Sequence, residues 1–554
     1  MSRGRETLGV ALLATLPLLP FLDAAVSIDA PVFVAVAEQI VAHPGDPFGF
    51  ELVWDPTSPV VSEFNHNPPL LSYWLAPFVA LFGPAEWAMH LAVVPFSLLA
   101  ALSFLGIARR LTGVGGPAAW LLVVSPAYLL LATTLLLDVP VLAATLFAVY
   151  ALLRANEGPH AARWQWASGA AVAAAGLLKY VGFSAAPLLG AGLLLLPGQG
   201  ARRPADFARV LGVPLLVWAA WGVWTHALYG RVHFLGGLAL VGQKSFAWSD
   251  FANQALSIPV YYGLALGFPV LAWLASLRRR GRGTELAVVG LLAGAAALLY
   301  VLPEGTPARR APLDPEEGVL GAIGFAGATL VWGVGLWRAA LSRRAEDRFL
   351  LLWLGGFGFF SLFVNWHVNA ADALMAAPPA LLLLFRHELR PDARRAGLWA
   401  AGLGVLSLVL VASDVKQRGV YRQAAAALVA EIGDAPGDRW SVGQWGFQYY
   451  LARQGFRPVR APQYPAAHAG APLRPGDWLA TARNVSQLDV AGPLGAYGIQ
   501  PVRVFRFEAG LPLRTTNPDA GGGFYSHQSG FVPFSWSRAP LEEVGLARVR
   551  TAPR

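Results

Sequence analysis

Three ionisable residues, Asp29, Asp138 and Lys179, each stand where an apolar run of this 554-residue chain stops. Asp29 follows the first apolar run, Asp138 sits in LLLDVPVL and Lys179 in GLLKYVGF. Ionisable groups at a membrane edge are costly and usually face a cavity or a partner. Two carboxylates and a cation on one face suit the transfer of a group from a phosphate-linked donor. A carboxylate takes the proton from an incoming hydroxyl, and a cation or metal stabilises the departing phosphate. Each residue also has a plainer reading. Asp29 suits the N-cap of a helix over Pro31–Val41, Asp138 caps a hairpin beside Pro140, and Lys179 snorkels to the surface.

Asp29 opens a polar, proline-punctuated stretch, Ser27–Trp74, with further carboxylates at Glu38, Asp46, Glu51, Asp55 and Glu63. A loop of that length is uncommon unless it is functional. Glu63, His66, Asn67 and Tyr73 are its expected substrate-binding residues, with Asp46 a further neighbour, whereas His43, His367 and His387 read as bystanders. No His, Asp and Glu spacing calls for a metal. A divalent cation on Asp29 with Glu63 or His66 is compatible with the pattern, and no other cofactor is implied.

The elements that must position these residues are membrane helices. Hydrophobic residues make up 55% of the chain and charged ones 14%, against roughly 25% charged in soluble domains. Mean hydropathy is +0.49. The net charge of +9 comes from arginines in short loops between apolar runs, the signature of membrane orientation rather than of nucleic-acid binding. Cysteine is absent, so there is no disulfide or thiolate metal site.

Placing Arg- and Lys-rich loops inside predicts about thirteen spans, an inner N-terminus read as a retained signal anchor, and Pro68–Phe82 as a helix lying at the outer interface. Asp29, Asp138 and Lys179 then share the outer face. Single spans are expected over Trp87–Ala108, Pro117–Leu136, Val139–Leu153, Ile258–Leu277 and Leu286–Val301, among others, with Arg309-Arg310 the one violation of the charge rule. Composition changes after Ser413. Residues 1–413 form the membrane domain, with a first outer loop over 23–86, and 414–554 form a small extracytoplasmic α/β domain. The fold class is an all-α polytopic membrane protein carrying that domain.

A carboxylate after span one, a loop ending in PPLLSYWLAPFVALFG, a helix ending in ARRL and a Leu-Asp-Val-Pro hairpin together resemble the family-39 glycosyltransferases of the GT-C superfamily. That group includes protein O-mannosyltransferases and the lipid A aminoarabinose transferases. The resemblance implies a polyprenyl-phosphate-linked sugar donor, a glycan, lipid or protein hydroxyl as acceptor, and inverting transfer at the outer leaflet of a bacterial inner membrane. It places Asp29 on the catalytic first-loop aspartate, Asp138 on the acid of the second outer hairpin and Lys179 near a basic residue. Three positions depart from the pattern. Ala30 follows Asp29 where many members have Glu, His66-Asn67-Pro68 replaces Glu-Lys-Pro, and Ala371-Asp372 replaces Arg-Tyr. The phosphate-binding cation must therefore come from Lys179, an arginine or a metal. The rival readings are a flippase for a lipid-linked saccharide, against which stand the lack of internal repeats and of midplane charges, and a non-catalytic assembly subunit.

Overall fold

The computed structural model describes residues 2–277 and 315–551, apart from 56–57, 159, 199–202, 243, 245, 388–392, 461–466, 468–471, 486–493, 495–496, 518–521 and 528. The expected span Leu286–Val301, the arginines at 278–282 and Arg309-Arg310 lie outside the described residues.

The first helix, Arg3–Thr15, is capped by Ser2 and tightens into a 3-10 turn, Leu16–Phe21, carrying Pro17 and Pro20. Glu6 ties it down, accepting from Arg109 Nε at 2.9 Å and from the Gly116 amide at 2.6 Å. The helix Glu86–Leu111 and the helix Asp138–Ala155 run in the same direction, Arg110 in the last turn of the first pairing at 2.6 Å with Glu157 just past the end of the second. Their arginine ends therefore lie together, opposite the end where Asp138 starts its helix.

Asp138–Ala155 is the hub. Inside its most apolar window 83% of residues are buried, against 28% for the helical stretch Pro204–Tyr229, which is therefore peripheral. A helix apolar on every side belongs in the middle of a bundle. Leu70–Phe82 forms a short apolar helix within the expected Pro68–Phe82, and Ser72 Oγ donates to the Phe33 carbonyl of the helix Ala30–Ala42 at 2.9 Å.

Several expected single spans are interrupted. Pro117–Leu136 breaks into Gly116–Val123 and Pro126–Ala132, because Pro126 has no amide to continue the helix and Ser125 restarts it as N-cap. Thr133 and Thr134 then fold their hydroxyls back onto Leu130 and Leu131, ending the segment just before Asp138. Ile258–Leu277 is divided between Trp248–Leu264 and Phe268–Leu277, bent by 78°. Gly267 takes φ 68° at that bend, a conformation glycine adopts at no steric cost. Among the described residues five helices are long and apolar enough to cross a membrane, or six if this bent pair counts as one span. Other apolar helices among the described residues are Pro315–Leu341, unbroken over 27 residues, and the shorter Ala161–Leu178 and Ala185–Leu195. The chain is a multi-pass membrane protein.

The composition change at Ser413 is not a break in structure: one 40-residue helix, Ala393–Ile432, runs through it. At the crossing, Asp414 and Arg418 form a buried ion pair at 2.8 Å. Thr515 and Tyr525 donate to Asp414, and Arg418 donates to the Thr133 carbonyl. All of these partners are needed, because a buried charge left without them is expensive.

Beyond the helix lie strands β1 (Arg439–Val442), β2 (Arg457–Pro458), β3 (Trp478–Ala482), β4 (Gly498–Phe507) and β5 (Glu542–Thr551). They form one mixed sheet in the order β2-β1-β3-β5-β4. β1 is parallel to β2 and β3, while β5 is antiparallel to β3 and β4. Tyr421 and Leu428 of the long helix and Phe447 and Leu451 of the helix Trp445–Ala452 cover one face, against Trp478, Val544 and Leu546. Helices on one face of this mixed sheet make a two-layer α/β unit. A segment between β4 and β5 returns to the membrane domain, where Tyr261 Oη donates to the carbonyls of Gly523 and Gly530 at 2.6 and 2.8 Å.

Candidate functional site

A cavity of about 780 Å³ lies at the end of the bundle that carries Asp29 and Asp138. Its wall draws on the first loop (Asp29, Trp54, Asp55, His66), the Leu136–Asp138 turn, Lys179–Tyr180, the segment Asn365–Asp372, and Phe524–Tyr525 of the returning C-terminal segment. Five elements distant in sequence converge there.

Lys179 and Asp138 form its fixed charge pair, Nζ donating to Oδ1 at 2.7 Å. Asp138 is held by the buried hub helix. Lys179 sits at a break, in extended conformation (φ −153°, ψ 138°), between the helix Ala161–Leu178 and a 3-10 turn. Gly182 makes the break feasible: a Cβ there would stand 2.1 Å from the Ala175 carbonyl oxygen. Its amide instead donates to the Lys179 carbonyl at 2.7 Å.

Asp29 is held differently. It is the N-cap residue of Ala30–Ala42, yet its side chain makes no capping hydrogen bond and opens onto the cavity. Burial within the surrounding protein raises its carboxyl above the ordinary carboxylate range, opposed by the Lys179 ammonium and assisted by the Asp138 charge. Ile28, just before it, takes φ 56°. That is a strained conformation for a β-branched residue, and such strain persists only where the surroundings enforce it.

The imidazoles of the wall are driven neutral. Burial holds His66 below its ordinary range and takes His367 down to about 3. Behind them, burial lowers His233 to about 4, and His233 shares a 2.5 Å hydrogen bond with Tyr180 Oη. Among the described lining residues Lys179 is the only lysine or arginine, facing the carboxylates of Asp29, Asp55, Asp138 and Asp372. Among the described residues no group of three or more His, Asp or Glu side chains is arranged to hold a metal ion.

Of the residues expected from the sequence, Asp29, Asp138, Lys179, His66 and Asn67 line this cavity, whereas Glu63 and Tyr73 do not. Glu63 turns away to pair with Arg231 at 2.8 Å and accepts from Ser58. Tyr73 lies on the face of its helix that points at Pro44, donating to that carbonyl at 2.7 Å. Asp46 is also outside, engaged by Tyr229 Oη at 2.6 Å. His367, expected to be a bystander, is part of the wall.

Asp372 and its supports were not foreseen. Asn365 Nδ2 donates to both Asp372 oxygens at 3.0 and 3.1 Å. Asn369 Oδ1 accepts from the Asp372 amide while Asp372 Oδ2 accepts from the Asn369 amide. That reciprocal pattern is a capping box, and its sequence signal, Asn369-Ala-Ala-Asp372 before an apolar run, was present.

Residues 66–224 match the family described as dolichyl-phosphate-mannose-protein mannosyltransferase. The matched stretch contains Asp138 and Lys179 but not Asp29. Over 98% of its length the chain aligns with 88% of the Archaeoglobus fulgidus oligosaccharyltransferase in its apo form, at 11% identity and a TM-score of 0.50. ArnT from Cupriavidus metallidurans in the apo state aligns over 98% of this chain and 97% of its own, at 15% identity and a TM-score of 0.43. The S. cerevisiae protein O-mannosyltransferase Pmt1-Pmt2 complex bound to the sugar donor aligns over 42% and 35%, at 20% identity and a TM-score of 0.32. No protein of curated function matches the sequence significantly. The chain thus shares its fold with the archaeal oligosaccharyltransferase, and within it residues 66–224 carry the mannosyltransferase family's sequence pattern.

Proposed function

We propose that this enzyme moves a sugar from a polyprenyl-phosphate-linked donor to a hydroxyl acceptor at the outer face of a bacterial inner membrane, with the C-terminal domain on that side. The observation that carries this reading is the convergence in one cavity of an unencumbered carboxylate, Asp29, and the Lys179–Asp138 pair. The lipid-phosphate donor is supported by the family matched over 66–224, whose description names dolichyl phosphate mannose.

In this reading Asp29 takes the proton of the acceptor hydroxyl as its oxygen attacks the anomeric carbon. The bond from that carbon to the phosphate oxygen breaks, its electron pair leaves on the polyprenyl phosphate, and the anomeric configuration inverts. Lys179 offsets the phosphate charge as it develops. Asp138 fixes the lysine. His66 and Asn67 contact the sugar or the acceptor.

The experiment is transfer from a radiolabelled pool of polyprenyl-phosphate sugars by purified protein in detergent, wild type beside Asp29→Asn. Label should leave the lipid with wild type only, while both proteins bind donor. Transfer by the variant at the wild-type rate would remove Asp29 from its role. Binding without transfer by either protein would turn the reading toward a flippase.

A further inference from the structure

The helix Trp445–Ala452 belongs to the C-terminal domain, yet one side of it is spent on the first loop of the membrane domain. Tyr450 Oη accepts from the Val26 amide at 2.8 Å and donates to Glu86 at the start of a transmembrane helix. Val26 is three residues before Asp29 and two before the strained Ile28. The helix backbone approaches closely at the same place, since a Cβ on Gly446 would stand 2.6 Å from the Val26 carbonyl oxygen.

The same helix reaches the other cavity-lining part of the loop. Gln448 Nε2 donates to the Val53 carbonyl at 2.5 Å, and Gln444 Nε2 donates to the Trp54 carbonyl. Trp54 and Asp55 are cavity wall. Both glutamines are buried, and Gln448 Oε1 has no hydrogen-bond partner among the described residues. An amide kept in the interior with half of its capacity unmet would be a poor choice for domain stability alone. Outside these contacts Arg453 pairs with Glu38 at 2.8 Å.

We propose that Trp445–Ala452 is the element that positions Asp29 and the Trp54–Asp55 wall, with Tyr450 and Gln448 as positioning residues. The C-terminal domain is then a working part of the transferase site. The catalytic half of this inference rests on Asp29 being the general base. The contacts hold the backbone on both sides of the loop, so their loss lets the Asp29 carboxylate drift and water reach it. Displacements of about 1 Å cost up to roughly a hundredfold in rate.

Two variants test this. Tyr450→Phe keeps the ring and removes only the hydroxyl, and Gln448→Ala removes the other anchor. Each is purified in detergent, checked for an unchanged melting temperature, and compared with wild type by hydrogen exchange and by kinetics across pH. Faster amide exchange over 26–30 is expected for Tyr450→Phe and over 53–55 for Gln448→Ala. For both, kcat should fall on the order of tenfold with donor KM unchanged. The acid limb of kcat should move to lower pH as Asp29 becomes hydrated, a shift that a loss of folded protein would not produce.

Unchanged exchange in both variants overturns the clamp. Faster exchange with unchanged kcat and an unmoved acid limb overturns its positioning role. Asp29→Asn, run in parallel, separates the two ideas. Turnover by that variant overturns the general-base reading, while the exchange result still decides whether the helix holds the loop.

Discussion

Three of the cavity's charges, Asp138, Lys179 and Asp29, are placed by two regions that work differently. Asp138 and Lys179 belong to the helical core. The first opens the hub helix, the second stands at a glycine-dependent break, and the two neutralise each other at 2.7 Å. Asp29 belongs to the first loop, has no hydrogen bond to its carboxylate among the described residues, and follows a residue in a strained conformation. The difference separates two tasks. A charge that must stay constant is paired and set in the core. The carboxylate proposed to exchange a proton accepts no hydrogen bond among the described residues, and the backbone before it is held by Tyr450 of the C-terminal domain.

Substitutions in the two regions should therefore fail in different ways. Asp29→Asn should lower kcat by about 10³-fold with melting temperature and donor binding intact, since a positioned general base contributes on that scale. Activity in wild type should also fall as pH drops through a range above that of ordinary carboxylates, because burial makes the Asp29 carboxyl harder to ionise. An acid limb at ordinary carboxylate pH would contradict this.

Lys179→Met should harm folding as well as activity. It leaves the Asp138 carboxylate, which is 9% exposed, without its partner, at a cost of about 3 kcal/mol in detergent unfolding. Lys179→Met combined with Asp138→Leu should recover most of that stability and none of the transfer. A double variant no more stable than the single one would mean that the pair is not what the core is built around.

In the C-terminal domain, Glu542 gives a smaller effect. Burial lifts its carboxyl to about 7, against the amides of Asn484, Glu543 and Arg483 and the Tyr421 hydroxyl. The folded form holds the proton more tightly than the unfolded one, so stability is full below pH ~4.5 and falls as pH rises to about 7. Melting curves of wild type should show that decline, and Glu542→Gln should flatten it. The smallest effect should come from Glu63→Ala. Its partner Arg231 and Glu63 itself are 42% and 43% exposed, so the pair contributes no more than about 1 kcal/mol, and transfer should stay within about twofold because the side chain faces away from the cavity.

The same division explains what could be read from the sequence. Asp29, Asp138, Lys179, His66 and Asn67 were legible because each interrupts or borders an apolar run, where a polar residue needs a reason. Glu63 and Tyr73 share that neighbourhood, but a loop's sequence does not say which way a side chain turns. Here Arg231 and the Pro44 carbonyl, both remote in sequence from their partners, decide it. Asp372 was passed over because it stands where relatives carry a different residue. Its capping-box spacing was the better guide. The interrupted spans hide inside unbroken hydropathy, since Ser125-Pro126 and Gly267 change backbone direction without changing polarity. Hydropathy also shows a boundary at Ser413 that the backbone ignores.

That uninterrupted helix has a mechanical meaning. At 40 residues it is a rod about 60 Å long. One end is packed among membrane helices, the middle is pinned by Asp414 and Arg418, and the far end lies under the sheet that carries Trp445–Ala452. A rod without a joint works as a lever: a tilt of about 1° displaces its far end by about 1 Å. With no hinge between its ends, this helix joins the membrane-embedded bundle directly to the domain whose helix Trp445–Ala452 touches the backbone next to Asp29.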